Sequence, residues 1–213
     1  HSQIQTMRLY FYETQLPDHS YISTNRNMDM THSNHYVIAY DNQLSDNWRL
    51  KVEGYYQDLN KVPVETAPST YSTLNIGADY VSPNADSLVN NGSGKNIGVE
   101  FTLEKFFSKN YYFLLTTSLF DSKYKGSDGV ERNTAFNGNY TINLLAGAEF
   151  NLDSKKRKVL TINGKYTMAG GKRYIPIDLN ESIANNETTY DYSHAYENKY
   201  SDYSRFDIKI GFK

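Results

Sequence analysis

The sequence predicts an all-β protein: an antiparallel up-and-down β-barrel that crosses a membrane, present in part as about seven to eight strands. Three observations carry this expectation. Seven stretches alternate apolar and polar residues for about ten positions each, and successive side chains of a strand point to opposite faces. About ten residues is what a tilted strand needs to cross a bilayer, whereas soluble strands run to about five or six. The connections alternate strictly between short and long, as in outer-membrane barrels with tight turns at one end and long loops at the other.

Along the chain, Ile4–Glu13 reads as a less regular extended segment, followed by a polar stretch to about Met30. His35–Leu44 points Tyr36, Ile38 and Tyr40 one way and reverses at Ser45-Asp46-Asn47, three turn formers, into Trp48–Asp58. There Trp48, Leu50, Val52 and Tyr56 share a face opposite Arg49, Lys51, Glu53, Tyr55 and Gln57. A long connection from about Leu59 to Lys95 precedes Asn96–Phe107, where Ile97, Val99, Phe101 and Leu103 oppose Glu100, Thr102 and Glu104. Ser108-Lys109-Asn110 turns the chain back into Tyr111–Tyr124. Two apolar sets compete there: Phe113, Leu115 and Leu119 against Tyr112, Leu114 and Phe120.

A loop containing Gly126, Gly129 and Gly138 leads to Tyr140–Leu152, with Tyr140, Ile142, Leu144, Ala146, Ala148 and Phe150 in an unbroken apolar face. The basic turn Asp153–Lys158 returns into Val159–Ala169, with Leu160, Ile162, Tyr166 and Met168 opposite Asn163, Lys165 and Thr167. After a loop from Gly170 to about Tyr203, Arg205, Asp207 and Lys209 alternate with Phe206, Ile208, Ile210 and Phe212. No amphipathic helix is expected. Trp48, Phe106, Phe107, Tyr111 and Tyr112 near the short turns, with Tyr56 and Tyr124 near the long loops, suit aromatic girdles.

The register follows from cost. Slipping Trp48–Asp58 by one residue would put Arg49 and Lys51 into hydrocarbon, at about 2–4 kcal/mol each at the midplane. Arg49, Lys51, Glu53, Glu100, Glu104, Lys165, Arg205, Asp207 and Lys209 are therefore expected to face a wet or protein-filled lumen.

Composition agrees. The 213 residues suit one domain, 1–213, and the absence of cysteine removes disulfides, thiol catalysis and thiolate metal sites. A net charge of −2 gives no case for nucleic acid. The mean hydropathy of −0.68 and the lack of a run of about 18 apolar residues argue against a spanning helix, while a barrel shows lipid only alternate residues. The 20 Tyr and 10 Phe against one Trp favour strands that are wet at one end and apolar at the other. The chain opens at His1-Ser2-Gln3 inside a patterned segment, with no signal peptide and no initiator Met, which either a mature terminus or a fragment would explain, the fragment being the favoured expectation.

From about Thr31 onward, the segments resemble the C-terminal part of the barrel of TonB-dependent outer-membrane receptors. The resembling stretches are Asn47-Trp48-Arg49-Leu50-Lys51-Val52-Glu53-Gly54-Tyr55-Tyr56-Gln57 and Asn91-Gly92-Ser93-Gly94-Lys95-Asn96-Ile97-Gly98-Val99-Glu100. Ala169-Gly170-Gly171-Lys172-Arg173-Tyr174-Ile175-Pro176-Ile177-Asp178 and Tyr203-Ser204-Arg205-Phe206-Asp207-Ile208-Lys209-Ile210-Gly211-Phe212 complete the set. The second stretch, a glycine-containing loop end running into Gly-Val-Glu, is the most specific. The opening His1-Ser2-Gln3-Ile4-Gln5 resembles an apical loop segment of a Bacteroidota-like branch that carries a carboxypeptidase-regulatory-like domain.

The resemblance implies a plugged barrel of about 22 strands. Its plug, its TonB-contacting segment, its early strands and its closing strands have no counterpart in these residues. It further implies import of a scarce nutrient, a metal chelate or an oligosaccharide, across the bacterial outer membrane. The partners would be outer-membrane lipid, the plug, TonB and the imported ligand, with no cofactor and no enzymatic activity.

Chemical motifs are sparse. Ser93-Gly94-Lys95-Asn96 fails as a phosphate loop, since position 89 is Val and position 96 is Asn. His32 and His35 would point to opposite faces of a strand, which argues against a metal site. His194, close to Asp191, lacks the strand-to-helix nucleophile elbow of a hydrolase and reads as a solvated loop residue. Three glycosylation sequons, at Asn91, Asn139 and Asn186, carry no meaning in a bacterial barrel. The tyrosine-rich long loops supply the ligand-contact candidates Tyr71, Tyr80, Tyr174, Tyr190, Tyr192 and His194, with Tyr196 and Tyr200 close by. Two other readings stay open: a complete eight-stranded barrel closed by Ile4–Glu13 against Ser204–Phe212, with an adhesive or structural role, and a soluble β-sandwich binding module.

Overall fold

Seven long strands follow one another as a continuous antiparallel meander, each hydrogen-bonded to its sequence neighbours. They are β1 (Thr31–Ser45), β2 (Trp48–Glu65), β3 (Leu88–Ser108), β4 (Tyr111–Lys125), β5 (Tyr140–Asn151), β6 (Val159–Ala169) and β7 (Tyr203–Phe212). The structure is a computed structural model and describes residues 1–78, 85–155 and 157–213. Two short strands extend the sheet: Ser2–Gln3 on the edge of β1, and Glu131–Asn133 on β4. The sheet is open. Its first and last strands do not pair, so the chain does not close on itself as a barrel.

Residues paired across neighbouring strands share a face, so the register assigns every side chain. Tyr40, Val52, Phe101, Thr117, Ile142 and Met168 belong to one face, as do Ile162 and its partner Ile210. Arg49 pairs with Glu104, Glu53 with Glu100 and Lys165 with Asp207 on the other. All nine charged residues singled out from the sequence lie on this polar face. The ambiguous strand β4 resolves too: Phe113, Leu115 and Leu119 join the apolar face, while Tyr112, Leu114 and Phe120 join the polar one.

The apolar face has no cover within the described chain. Ile38 is 80% exposed and Ile210 66%. The buried hydrophobic residues sit elsewhere, in a cap built by the long connections. Leu9, Ala85 and Leu88 form a small cluster with Met28, Tyr71 and Ile76 against it, and Val62, Val64, Tyr124, Ala135 and Ala195 are also buried. Asn25 ties the N-terminal segment to this cap, donating to the Ala85 carbonyl at 2.7 Å and accepting from the Leu88 amide at 2.8 Å.

Several expectations need correction. Ile4–Glu13 is not an extended segment: it contains helix α1 (Met7–Tyr10), which buries Leu9. A second helix, α2 (Leu179–Asn185), stands in the last long loop, N-capped by Asp178. The connection between β2 and β3 is shorter than expected, because both strands run on above the alternating region with register shifts between Leu59, Val62 and Val64. Two turns close on two residues instead of three, with Ser45 pairing to Trp48 and Ser108 to Tyr111. Tyr124 leaves the girdle: it is buried in the cap, donating to the Thr70 carbonyl at 2.8 Å, edge-on to Tyr196. At the short-turn end Trp48 does meet Phe113 on the apolar face, ring centroids 5.2 Å apart.

Candidate functional site: a pocket on the polar face

The pocket arises where three strands bring three different rows of residues together. Across β2, β3 and β4 one row reads Gln57, Asn96, Ser122; the next reads Tyr55, Gly98, Phe120; the third reads Glu53, Glu100, Ser118. Glycine at position 98 decides the shape. A Cβ there would lie 2.6 Å from the Tyr55 ring, so the ring lies across the glycine and forms an aromatic floor. The amide row stands on one side of that floor and the carboxylate row on the other. His35 meets Tyr55 edge-on at 6.1 Å, and Phe136 reaches in from the β4–β5 loop. The cavity measures about 360 Å³, at the lower end of small-molecule sites.

Side-chain bonds order the walls. Asn96 donates to Gln57 at 2.7 Å and Gln57 donates to Ser33 at 2.9 Å, which fixes both amides. Lys51 holds Glu53 at 2.6 Å. Elsewhere on this face Arg49 bridges Asp41 at 2.6 Å and Glu104 at 3.8 Å, and Arg205 bridges Asp207 at 2.7 Å. These exposed pairs order the face and add little stability. Among the described residues no group of three His, Cys, Asp or Glu is placed to hold a metal.

None of the described loop candidates lines this pocket. Tyr71 packs on the small cap cluster with its hydroxyl buried, and burial, with Glu65 nearby, pushes its pKa up to about 12. It is a structural residue of the cap and a poor ligand contact. Tyr80 lies outside the described residues. Tyr174 packs on Tyr200 at 4.6 Å, and Tyr190 on Tyr192 at 6.4 Å, in the β6–β7 loop.

Asp191, Ser193 and His194 superficially suggest a relay, but Ser193 at 3.0 Å and Asp191 at 2.6 Å meet the same ring nitrogen, Nδ1. A hydrolytic triad needs serine and carboxylate on opposite nitrogens. The cluster instead caps a short turn over Tyr192–His194, with Asp191 accepting from the Ser193 amide. The Asp191 carboxylate holds the imidazole pKa above its ordinary value.

Sequence reasoning named Glu53 and Glu100 and missed the other pocket residues as a group. It also missed the loop staple Arg173, which donates to the Asn137 carbonyl at 2.9 Å, the Glu197 carbonyl at 2.8 Å and Asn139 at 3.2 Å. That guanidinium holds the β4–β5 loop, and with it Phe136, against the β6–β7 loop. Compared with protein-family models and with curated proteins, the chain matches none.

Proposed function

We propose that this chain is part of the barrel of a TonB-dependent receptor in the bacterial outer membrane, importing a scarce nutrient with energy coupled through TonB. The observation that carries the reading is a single sheet whose apolar face nothing in the described chain covers, while its polar face holds a pocket beneath the long loops. The height of the apolar band supports it. On β3 the apolar face is bounded by Lys95 and Lys105, with Ile97, Val99, Phe101 and Leu103 between them. That interval spans roughly 33 Å along the strand, or about 25 Å at the tilt usual for outer-membrane barrels.

The boundaries are dressed as an interface requires. At the long-loop end Lys95 pairs with Glu131 at 2.7 Å. At the short-turn end Lys105 folds its ammonium over the Tyr111 ring, 3.7 Å from the centroid. A complete eight-stranded barrel is disfavoured, because the segment that would close it carries α1 and Ser2–Gln3 pairs with β1. A β-sandwich would need a second sheet over the apolar face, and the remaining paired strands among the described residues are two short ribbons.

Reading the gene on both sides of these residues tests the proposal. An importer requires a plug domain in the same reading frame; its absence would refute the transport role while leaving the membrane reading standing.

A further inference from the structure

We infer that the polar-face pocket binds an organic cation, through an ammonium or guanidinium group seated on Tyr55 between the two glutamates. The inference names a ligand class for the site described above and rests on the reading of that face as an interior open to solutes. Glu53 and Glu100 are direct register partners, and like charges directly opposite one another across a sheet are destabilising. Lys51 neutralises one of them, at 2.6 Å from Glu53. No ion pair among the described residues reaches Glu100, which lines the cavity. Glu100 thus feels Lys51 only at longer range, with no ion pair of its own, beside an aromatic floor.

A cation answers both features at once, since an aromatic face attracts positive charge and Glu100, exposed in the cavity mouth with no ion pair, adds charge attraction beside it. An anionic guest meets the same two carboxylates as repulsion. The amide row adds oriented polar groups on the far side, suited to a guest that carries a polar body behind its charged end. Within the importer reading, this favours a basic solute over an anionic metal chelate.

The charged group has two possible sources: a free solute, or a basic side chain of another segment of the same polypeptide. Calorimetric titration of the intact protein in detergent with arginine methyl ester, methyl glucoside and citrate separates guest classes. The expected result is saturable binding of the ester alone, weakened about ten-fold in Glu100→Gln and unchanged in Lys165→Gln, which lies three strands away on the polar face. Carbodiimide crosslinking separates the sources. A zero-length link from Glu100 to a lysine other than Lys51, which already neighbours it on the sheet, shows the pocket filled from another segment of the polypeptide.

Binding of the glucoside or citrate in preference to the ester overturns the inference, as does ester binding indifferent to Glu100→Gln. Neither ester binding nor a crosslink also overturns it. A thermal melt of Glu100→Gln at or above that of the parent protein, as relief of the Glu53–Glu100 repulsion predicts, confirms that the charge, and not the fold, was removed. If the protein proves a soluble monomer without detergent, the importer reading fails while the titration still decides the cation site.

Discussion

Lys105 shows how a single residue can sit on a lipid-like face without violating it. It pairs with Phe113 and Trp48 on the apolar side yet is only 3% exposed. Its ammonium turns back to the Ser108 carbonyl at 2.9 Å, the Ser108 hydroxyl at 2.8 Å and the Tyr111 carbonyl at 3.0 Å, so every donor has a partner. Lys105→Met should cost about 1–3 kcal/mol in urea unfolding, because these acceptors lose their donor, with Lys105→Arg less damaging. Gly98→Ala should cost a similar amount, about 1–3 kcal/mol, since its methyl meets the Tyr55 ring and the Leu119 carbonyl at 2.8 Å. Were Gly98→Ala neutral, Tyr55 would not be a fixed floor.

His194 gives a pH dependence with a defined sign. Its folded pKa is raised above the ordinary 6.5, so its bond to Asp191 contributes fully below that value and is lost as pH rises through the raised one. Asp191 is lowered from 3.8 by bonds from Ser193 and His194, so its contribution is lost only on acidification. The 191–194 turn should therefore show more amide protection at pH 6 than at pH 8 after correction for intrinsic exchange, and His194→Gln should abolish the difference.

At the level of elements, the strands were legible because alternation is a local signal, and the register let independent strands agree on one facing. Where the alternation failed, so did the reading. Val62 and Val64 are buried in the cap next to Pro63, and the register shifts around them break the period of two that would have marked them as strand. α1 was missed because four residues are too few to show helical periodicity. The pocket was invisible for another reason: His35, Gln57 and Asn96 each look like ordinary polar positions, and only the register reveals that they surround one glycine. The turn after β3 yields a sharper test. Lys109 and Asn110 both adopt positive φ, 51° and 68°, as a tight hairpin reversal requires. Lys109→Gly should raise stability, by up to about 1 kcal/mol, and Asn110→Val should lower it by about 1–2 kcal/mol. Equal effects of the two in a denaturant titration would mean the turn is not as described.

For the whole molecule, the decisive feature is imbalance. A sheet of seven long strands has its buried hydrophobic core in the loop cap and, among the described residues, no second layer on its apolar face. The outer edge of β1 is covered only at Ser2–Gln3, and no described strand pairs with the far edge of β7. Unpaired edges beside uncovered apolar rows invite association. These 213 residues alone should therefore sediment as aggregate in plain buffer and become soluble in detergent. A monomer with a sharp cooperative melt in buffer would oppose that. The most direct test of a lipid-facing sheet is nitroxide scanning along β3 with the intact protein in vesicles. Labels at Val99, Phe101 and Leu103 should be reached by oxygen and shielded from a water-soluble relaxer, and labels at Glu100, Thr102 and Glu104 should show the reverse. Accessibility to the water-soluble relaxer at all six positions, with no alternation, would contradict the membrane assignment.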